Sequence, residues 1–183
     1  MKGRIEAFFV SDLKRLHLIS MIKKILIGLV VILVVIQFFH PEKNLSDDRT
    51  NDISTKYQIP GNVSALLEPA CYNCHSNKSE YPWYSKIQPV DWWLSGHVNE
   101  GKRHLNFSDF TSRRIAVQNH KFEEIAELVE EKEMPLPSYT WLGLHPEAKL
   151  TDEQRQLIID WATAQMDTLK AQYPADSLVM RRG

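Results

Sequence analysis

Cys71-Tyr72-Asn73-Cys74-His75 holds both cysteines of the 183-residue chain, and its reading decides what kind of core the chain can build. Two thiols three positions apart, with an imidazole directly after the second, match the C-x-x-C-H sequence that attaches c-type haem. The spacing follows from the chemistry. The thiols add to two vinyl groups along one side of a porphyrin, and the next residue delivers an imidazole nitrogen to the iron. A thioredoxin-like dithiol would have a strand before it and a helix after it. Here Val63-Ser-Ala-Leu-Leu67 precedes the motif as a helical pattern, and the polar Ser76-Asn-Lys-Ser79 follows it. A structural zinc site needs further close-set Cys or His residues, which the neighbouring sequence lacks. Coincidence would have to satisfy three residue constraints within five positions. The expectation is therefore one covalent haem c per chain, attached at Cys71 and Cys74 with His75 on the iron.

The other face of such an iron decides between an electron carrier and a ligand-binding catalyst. Met134 is the leading candidate, in Glu133-Met-Pro-Leu-Pro-Ser-Tyr139. Pro135 turns the preceding residue away from helical geometry, so the chain leaves its helix in an extended loop able to present a thioether. A sulfur ligand raises the potential relative to a second imidazole. His97 is the rival and would give bis-histidine ligation. Met166 falls on an apolar helical stripe and is expected to fill core. His104, His120 and His145 sit in polar or loop contexts, His40 at a membrane boundary, and His17 on the far side of the apolar run described next.

Ile25 to Phe39 is an uncharged apolar run, unlike anything else in the chain. Its 15 residues cover only about 22 Å of helix. A span of about 19 residues, with Met21 and Ile22 included and Lys23 and Lys24 snorkelling, approaches the ~30 Å hydrocarbon core. Gln-Phe-Phe-His-Pro follows instead of a small-x-small cleavage site, so an uncleaved anchor is expected over a signal peptide. Residues 1–24 carry a net +4 within a whole-chain net of −1, which places them in the cytoplasm and everything after Phe39 outside it. The expected localisation is the inner membrane, single-pass, with the folded part facing the periplasm. Met21 opens a complete anchor by itself, so residues 1–20 read as a cytoplasmic extension or an over-extended start. The near-neutral charge excludes a basic nucleic-acid-binding domain.

Residues 41–60 show no period and read as an exposed tether; 21–40 are the anchor, 61–170 the folded domain and 171–183 a tail. Within that domain a short helix is expected from Val63 to about Ala70. A second starts at Pro89 and runs to about Glu100. A third runs from Ser112 or His120 to Lys132, with Phe122, Ile125, Leu128 and Val129 apolar. The last starts at Thr151, whose side chain forms a capping box with Gln154, and repeats apolar residues at Leu157, Ile158, Trp161, Met166 and Leu169. No alternating strand pattern competes, so the fold class is all-α. Tyr81, Trp83, Tyr84, Trp92 and Trp93 are expected to wall the haem. The acidic run from Glu123 to Glu133 reads as a solvated face, or as a docking surface for a basic redox partner.

The stretch Leu66-Leu-Glu-Pro-Ala-Cys71-Tyr-Asn-Cys74-His75-Ser-Asn-Lys-Ser-Glu-Tyr81-Pro-Trp83-Tyr84-Ser resembles the haem-binding domain family of small cytochrome c-like proteins. The likeness continues through Ile87-Gln-Pro89-Val, His97-Val-Asn-Glu-Gly101, Met134-Pro135, His145-Pro146 and Trp161, covering residues 60 to about 165. It implies a cytochrome c-like helical domain, thioether attachment at Cys71 and Cys74, and His75 as proximal ligand. Its Met-Pro element falls at Met134. No phosphate loop, nucleophile elbow or HExxH-type zinc motif is present. The expected function is one-electron transfer with unknown redox partner proteins, not catalysis. The alternatives are a peroxidase-like haem with an open distal site and a haem-based redox sensor.

Overall fold

A computed structural model describes residues 2–180, with side chains outside 2–14 and 142. Among the described residues the chain is helical, and its pairing of extended backbone is limited to isolated bridges at Leu45–Lys78 and Asn51–Asp109. The principal helices are α1 (Lys2–Ile36), α2 (Gly61–Leu67), α3 (Val90–His104), α4 (Ile115–Glu130) and α5 (Asp152–Gln172). Two compact units emerge. One comprises the chain up to Pro41 together with Pro82–Trp93, and the other Glu42–Tyr81 with the chain from Leu94 onward.

In the first unit, the Arg15–Ile36 segment of α1 is long and apolar enough to cross a bilayer, a property it shares with signal sequences. Its side chains are exposed on every face. Pro82–Trp93 is hydrogen-bonded to the end of this helix. The Gln88 N–H donates to Gln37 Oε1 at 2.9 Å and the Trp92 indole N–H to the Phe39 carbonyl at 2.9 Å. Three tryptophans of this segment are exposed: Trp83 by 73%, Trp93 by 49% and Trp92 by 43%.

In the second unit, α4 packs along α5, and α2 against α5. The capping box at Thr151 is present: the Gln154 N–H donates to Thr151 Oγ1 at 3.2 Å, and the Thr151 N–H to Gln154 Oε1 at 2.9 Å. Phe122, Ile125 and Val129 of α4 and Ile158, Trp161 and Leu169 of α5 are buried, and Met166 packs against them. Leu157 is instead exposed, because the buried stripe of α5 runs through its neighbour Ile158. Phe122 sits at the centre, with ring centroids 4.9 Å from Tyr57, 5.0 Å from Phe110 and 5.6 Å from Trp161. Phe122→Ala removes the ring that joins these three, and a loss of about 3–5 kcal/mol is expected. Urea unfolding followed by circular dichroism measures it.

Residues 41–60 are not an exposed tether throughout. Ile53 and Tyr57 are core residues, and the Ile53 N–H donates to the Phe107 carbonyl at 2.8 Å. The polar residues that suggested solvent exposure satisfy backbone instead. Asp52 caps the turn Ile53–Thr55 through the Ser54 N–H, and Asn44 donates to the Ser76 carbonyl. The C-terminal end also contributes, since α5 continues to Gln172 and Leu178 joins the core; residues 181–183 lie outside the described part. Finally, helical structure does not stop before the cysteines. After Leu67 it continues through a widened π turn, Glu68–Tyr72, into a last turn, Asn73–His75. Pro69 explains the widening: it has no N–H to donate, and in a tight α turn its ring would crowd the Ala65 carbonyl.

Candidate functional site

Cys71 and Cys74 lie on this continuous helical stretch, and a separation of three puts both sulfurs on one face. Both are half-buried free thiols, not a disulfide. Burial pushes the Cys71 thiol up to about 12, with Cys74 adding to the rise, and it also raises Cys74. A redox dithiol depends on the opposite, a thiolate stabilised by an electropositive setting. The bare-metal alternative fares no better: among the described residues no group of three or more His, Cys, Asp or Glu side chains is placed to hold an ion.

His75 ends the stretch, and its ring is fixed from behind. Nδ1 lies 2.9 Å from the Gly101 carbonyl oxygen and 3.0 Å from that of Leu105. Carbonyl oxygens only accept, so Nδ1 carries the hydrogen and Nε2 is left with the lone pair. Burial holds the ring below the ordinary imidazole range, against the two carbonyls, which favour protonation. A neutral imidazole oriented by a carbonyl partner, with the lone pair on Nε2, is what an iron ligand requires. The donor set therefore fits a haem: two thiols on one helical face and, next to the second, an imidazole in the ligating tautomer.

The backbone around the motif is held just as closely. The Phe107 N–H donates to the His75 carbonyl at 2.7 Å, and the Phe107 ring stacks on Tyr72 with centroids 4.8 Å apart and planes 3° from parallel. Asn73, between the cysteines, donates to the Tyr139 hydroxyl at 2.9 Å and accepts from the Glu80 N–H at 2.9 Å. Tyr139 in turn stacks on His145 at 4.1 Å, and the turn Pro146–Ala148 packs on Glu68–Tyr72.

Cys71, Cys74 and His75 are thus gathered on one helical stretch, whereas Met134 comes from a separate loop. That chain leaves α4 through Lys132, whose φ is +62°. The Met134 N–H donates to the Leu128 carbonyl at 3.0 Å, and Arg155 Nη1 donates to the carbonyls of Met134, at 2.6 Å, and Val129, at 3.0 Å. The Met134 side chain is half-buried, and the same loop meets the motif through Tyr139. His97 is half-buried on α3, one turn before Gly101.

Gly101 is the functional position that sequence reasoning missed. A Cβ built there would stand 2.7 Å from the Cys74 carbonyl oxygen and 3.3 Å from Cys74 Cβ. The close approach of α3 to the motif, which brings the carbonyls of Gly101 and Leu105 to the His75 ring, thus requires a residue with no side chain. A glycine inside a helix was the available signal, since it costs about 1 kcal/mol relative to alanine and calls for a reason. At Gly96, on the same helix, a Cβ would meet nothing within 4 Å, so that position shows no such need.

No curated protein and no solved structure matches the chain. A family model described as the Haem-binding domain matches residues 31–164. That match contains the C-x-x-C-H stretch, the α3 carbonyls that orient His75 and the loop that reaches Asn73, and the chain belongs to the Haem-binding domain family.

Proposed function

We propose that the chain is a membrane-anchored, single-haem electron carrier, with haem c bound through Cys71 and Cys74, His75 as one axial ligand and Met134 as the other. The observation that carries this reading is the His75 ring at the end of a C-x-x-C-H helix, pinned at Nδ1 by two carbonyls so that Nε2 keeps its lone pair. The haem, when bound, supplies the one-electron chemistry. His75 and its two carbonyls set the ring plane, and the half-buried motif limits water. Met134 contributes the soft sulfur that favours the reduced state. His97 belongs to α3, the helix that stands behind His75, so its position favours Met134 for the opposite face.

Retention of the apolar helix as an anchor is supported by its exit. Gln37 and Phe39 hold Gln88 and Trp92, and loss of the leader together with this exit would strip those residues of their partners. With the positive flank inside, the haem unit faces the outer side of the cytoplasmic membrane, where a soluble or membrane-bound redox protein would exchange electrons with it.

The ferric absorption spectrum of the purified protein tests the ligation. Methionine–iron ligation gives a weak band at the red edge, and Met134→Ala is expected to abolish it and to let carbon monoxide bind the reduced form readily. A wild type that lacks the band and binds carbon monoxide would instead favour the peroxidase-like reading with an open distal site.

A further inference from the structure

The last turn of α1 is finished as though water were scarce. A helix leaves its final four carbonyls without intrahelical partners, and in water they can remain solvated. Here all four are satisfied by the protein. Gln37 Nε2 donates to the Leu33 carbonyl at 2.8 Å. The backbone N–H groups of Gln37, Phe38 and Phe39 donate to Val34, Val35 and Ile36 at 3.1–3.2 Å. Three residues beyond Ile36, the Phe39 carbonyl accepts twice, from Gln88 Nε2 at 2.7 Å and from the Trp92 indole at 2.9 Å. His40 Nδ1 lies 2.7 Å from the buried carboxylate of Asp91. Pro82–Trp93 is therefore fastened to the helix exit by side-chain hydrogen bonds that leave its own aromatic rings facing outward. Phe38 is 80% exposed, Trp83 73%, Phe39 61% and Ile87 45%.

Length says what this surface meets. The Arg15–Ile36 segment is 22 residues long, about 33 Å of helix, enough for a ~30 Å hydrocarbon core, and it ends three residues before Phe39. Lys23 and Lys24 can snorkel towards one end. At the other end the boundary of the hydrocarbon falls on the residues that surround Phe39. Indole rings with one polar edge are the side chains that settle at such a headgroup boundary.

The geometry points to Pro82–Trp93, with Phe38 and Phe39, as a lipid-binding collar that inserts Trp83 and Trp92 into the headgroup and ester layer of the bilayer around the helix exit. The occupant of this surface is phospholipid, not a second protein helix. The inference rests on the anchor reading, and its test separates the two.

The full-length haem-loaded protein, alone in phosphatidylcholine vesicles, is photolabelled by phosphatidylcholine bearing a diazirine either close to the glycerol ester or at the acyl-chain end, and the labelled peptides are mapped by mass spectrometry. The deep probe is expected to label residues 25–36. The shallow probe is expected to label Trp83, Trp92, Phe38 and Phe39 severalfold more than the deep probe does. Deep labelling of 25–36 with peptide 82–93 untouched by the shallow probe would overturn the collar and leave the anchor standing. Absence of label from both segments would overturn both. In a parallel sample, crosslinking of the 82–93 peptides of two chains by a bifunctional amine reagent at Lys86, with no lipid adducts there, would assign the surface to a second copy and likewise overturn the collar.

Discussion

Replacing both Cys71 and Cys74 by Ser is expected to leave a protein from which acidified organic solvent extracts all the haem, whereas the wild type keeps it. The two sulfurs share one face of a helical stretch that ends at His75, and under the proposed attachment each would take one vinyl group while the imidazole of the next residue would take the iron. Single variants separate the two bonds. Cys71→Ser and Cys74→Ser each retain one thioether and one unreacted vinyl group. The alkaline pyridine spectrum of the reduced haem should then move to longer wavelength, because the remaining vinyl stays conjugated with the ring. Retention of covalent haem by the double variant would mean that the attachment is made elsewhere.

Gly101→Val is expected to disrupt the site without changing Cys71, Cys74 or His75. The atom in the way of a new Cβ is the Cys74 carbonyl oxygen, 2.7 Å distant, and main chain cannot rotate aside as a side chain can. Relief comes only by moving α3 away from the motif, and that lengthens both hydrogen bonds to His75 Nδ1, now 2.9 and 3.0 Å. Overpacking of this kind costs about 1–3 kcal/mol. The His75 imidazole also loses its fixed orientation, so a lower haem content at equal expression and an altered ferric spectrum should accompany the loss of stability. Gly96→Ala is the matched control. With open space around its Cβ position and no positive φ, it should stabilise α3 by about 0.5–1 kcal/mol and leave the spectrum unchanged. Urea titrations of the two variants beside the wild type decide it, and equal effects at the two glycines would remove the special role of Gly101.

The parts of this molecule that are legible in its sequence are those written in short, local codes. C-x-x-C-H states its spacing within five residues. Thr151 and Gln154 announce the start of α5 by two reciprocal hydrogen bonds, and Phe122, Ile125 and Val129 repeat with the helical period over two turns of α4. Ile53 and Tyr57 escape notice because two apolar residues around a single turn establish no period, and the Asp, Asn and Ser side chains about them look solvated when in fact they close turns. Cys74 and Gly101 are 27 positions apart, and nothing local to either reports that their backbones touch. Trp83, Trp92 and Trp93 lie near the motif in sequence, and nothing local to them reports the hydrogen bonds their segment makes. The partners of their segment lie some 50 residues earlier, at the end of the apolar helix, where Gln88 and Trp92 find Phe39. Met134 stands out by its Pro-flanked loop, but the Asn73–Tyr139 hydrogen bond that draws this loop to the motif joins residues 66 apart.

The most direct test is the mass of the peptide that contains Cys71-Tyr-Asn-Cys74-His75, released by protease from protein matured outside the cytoplasm. One iron porphyrin joined through two thioethers, with neither cysteine open to an alkylating reagent, is the expected result. Two alkylated cysteines and a haem that leaves with acidified solvent would contradict covalent attachment at this site.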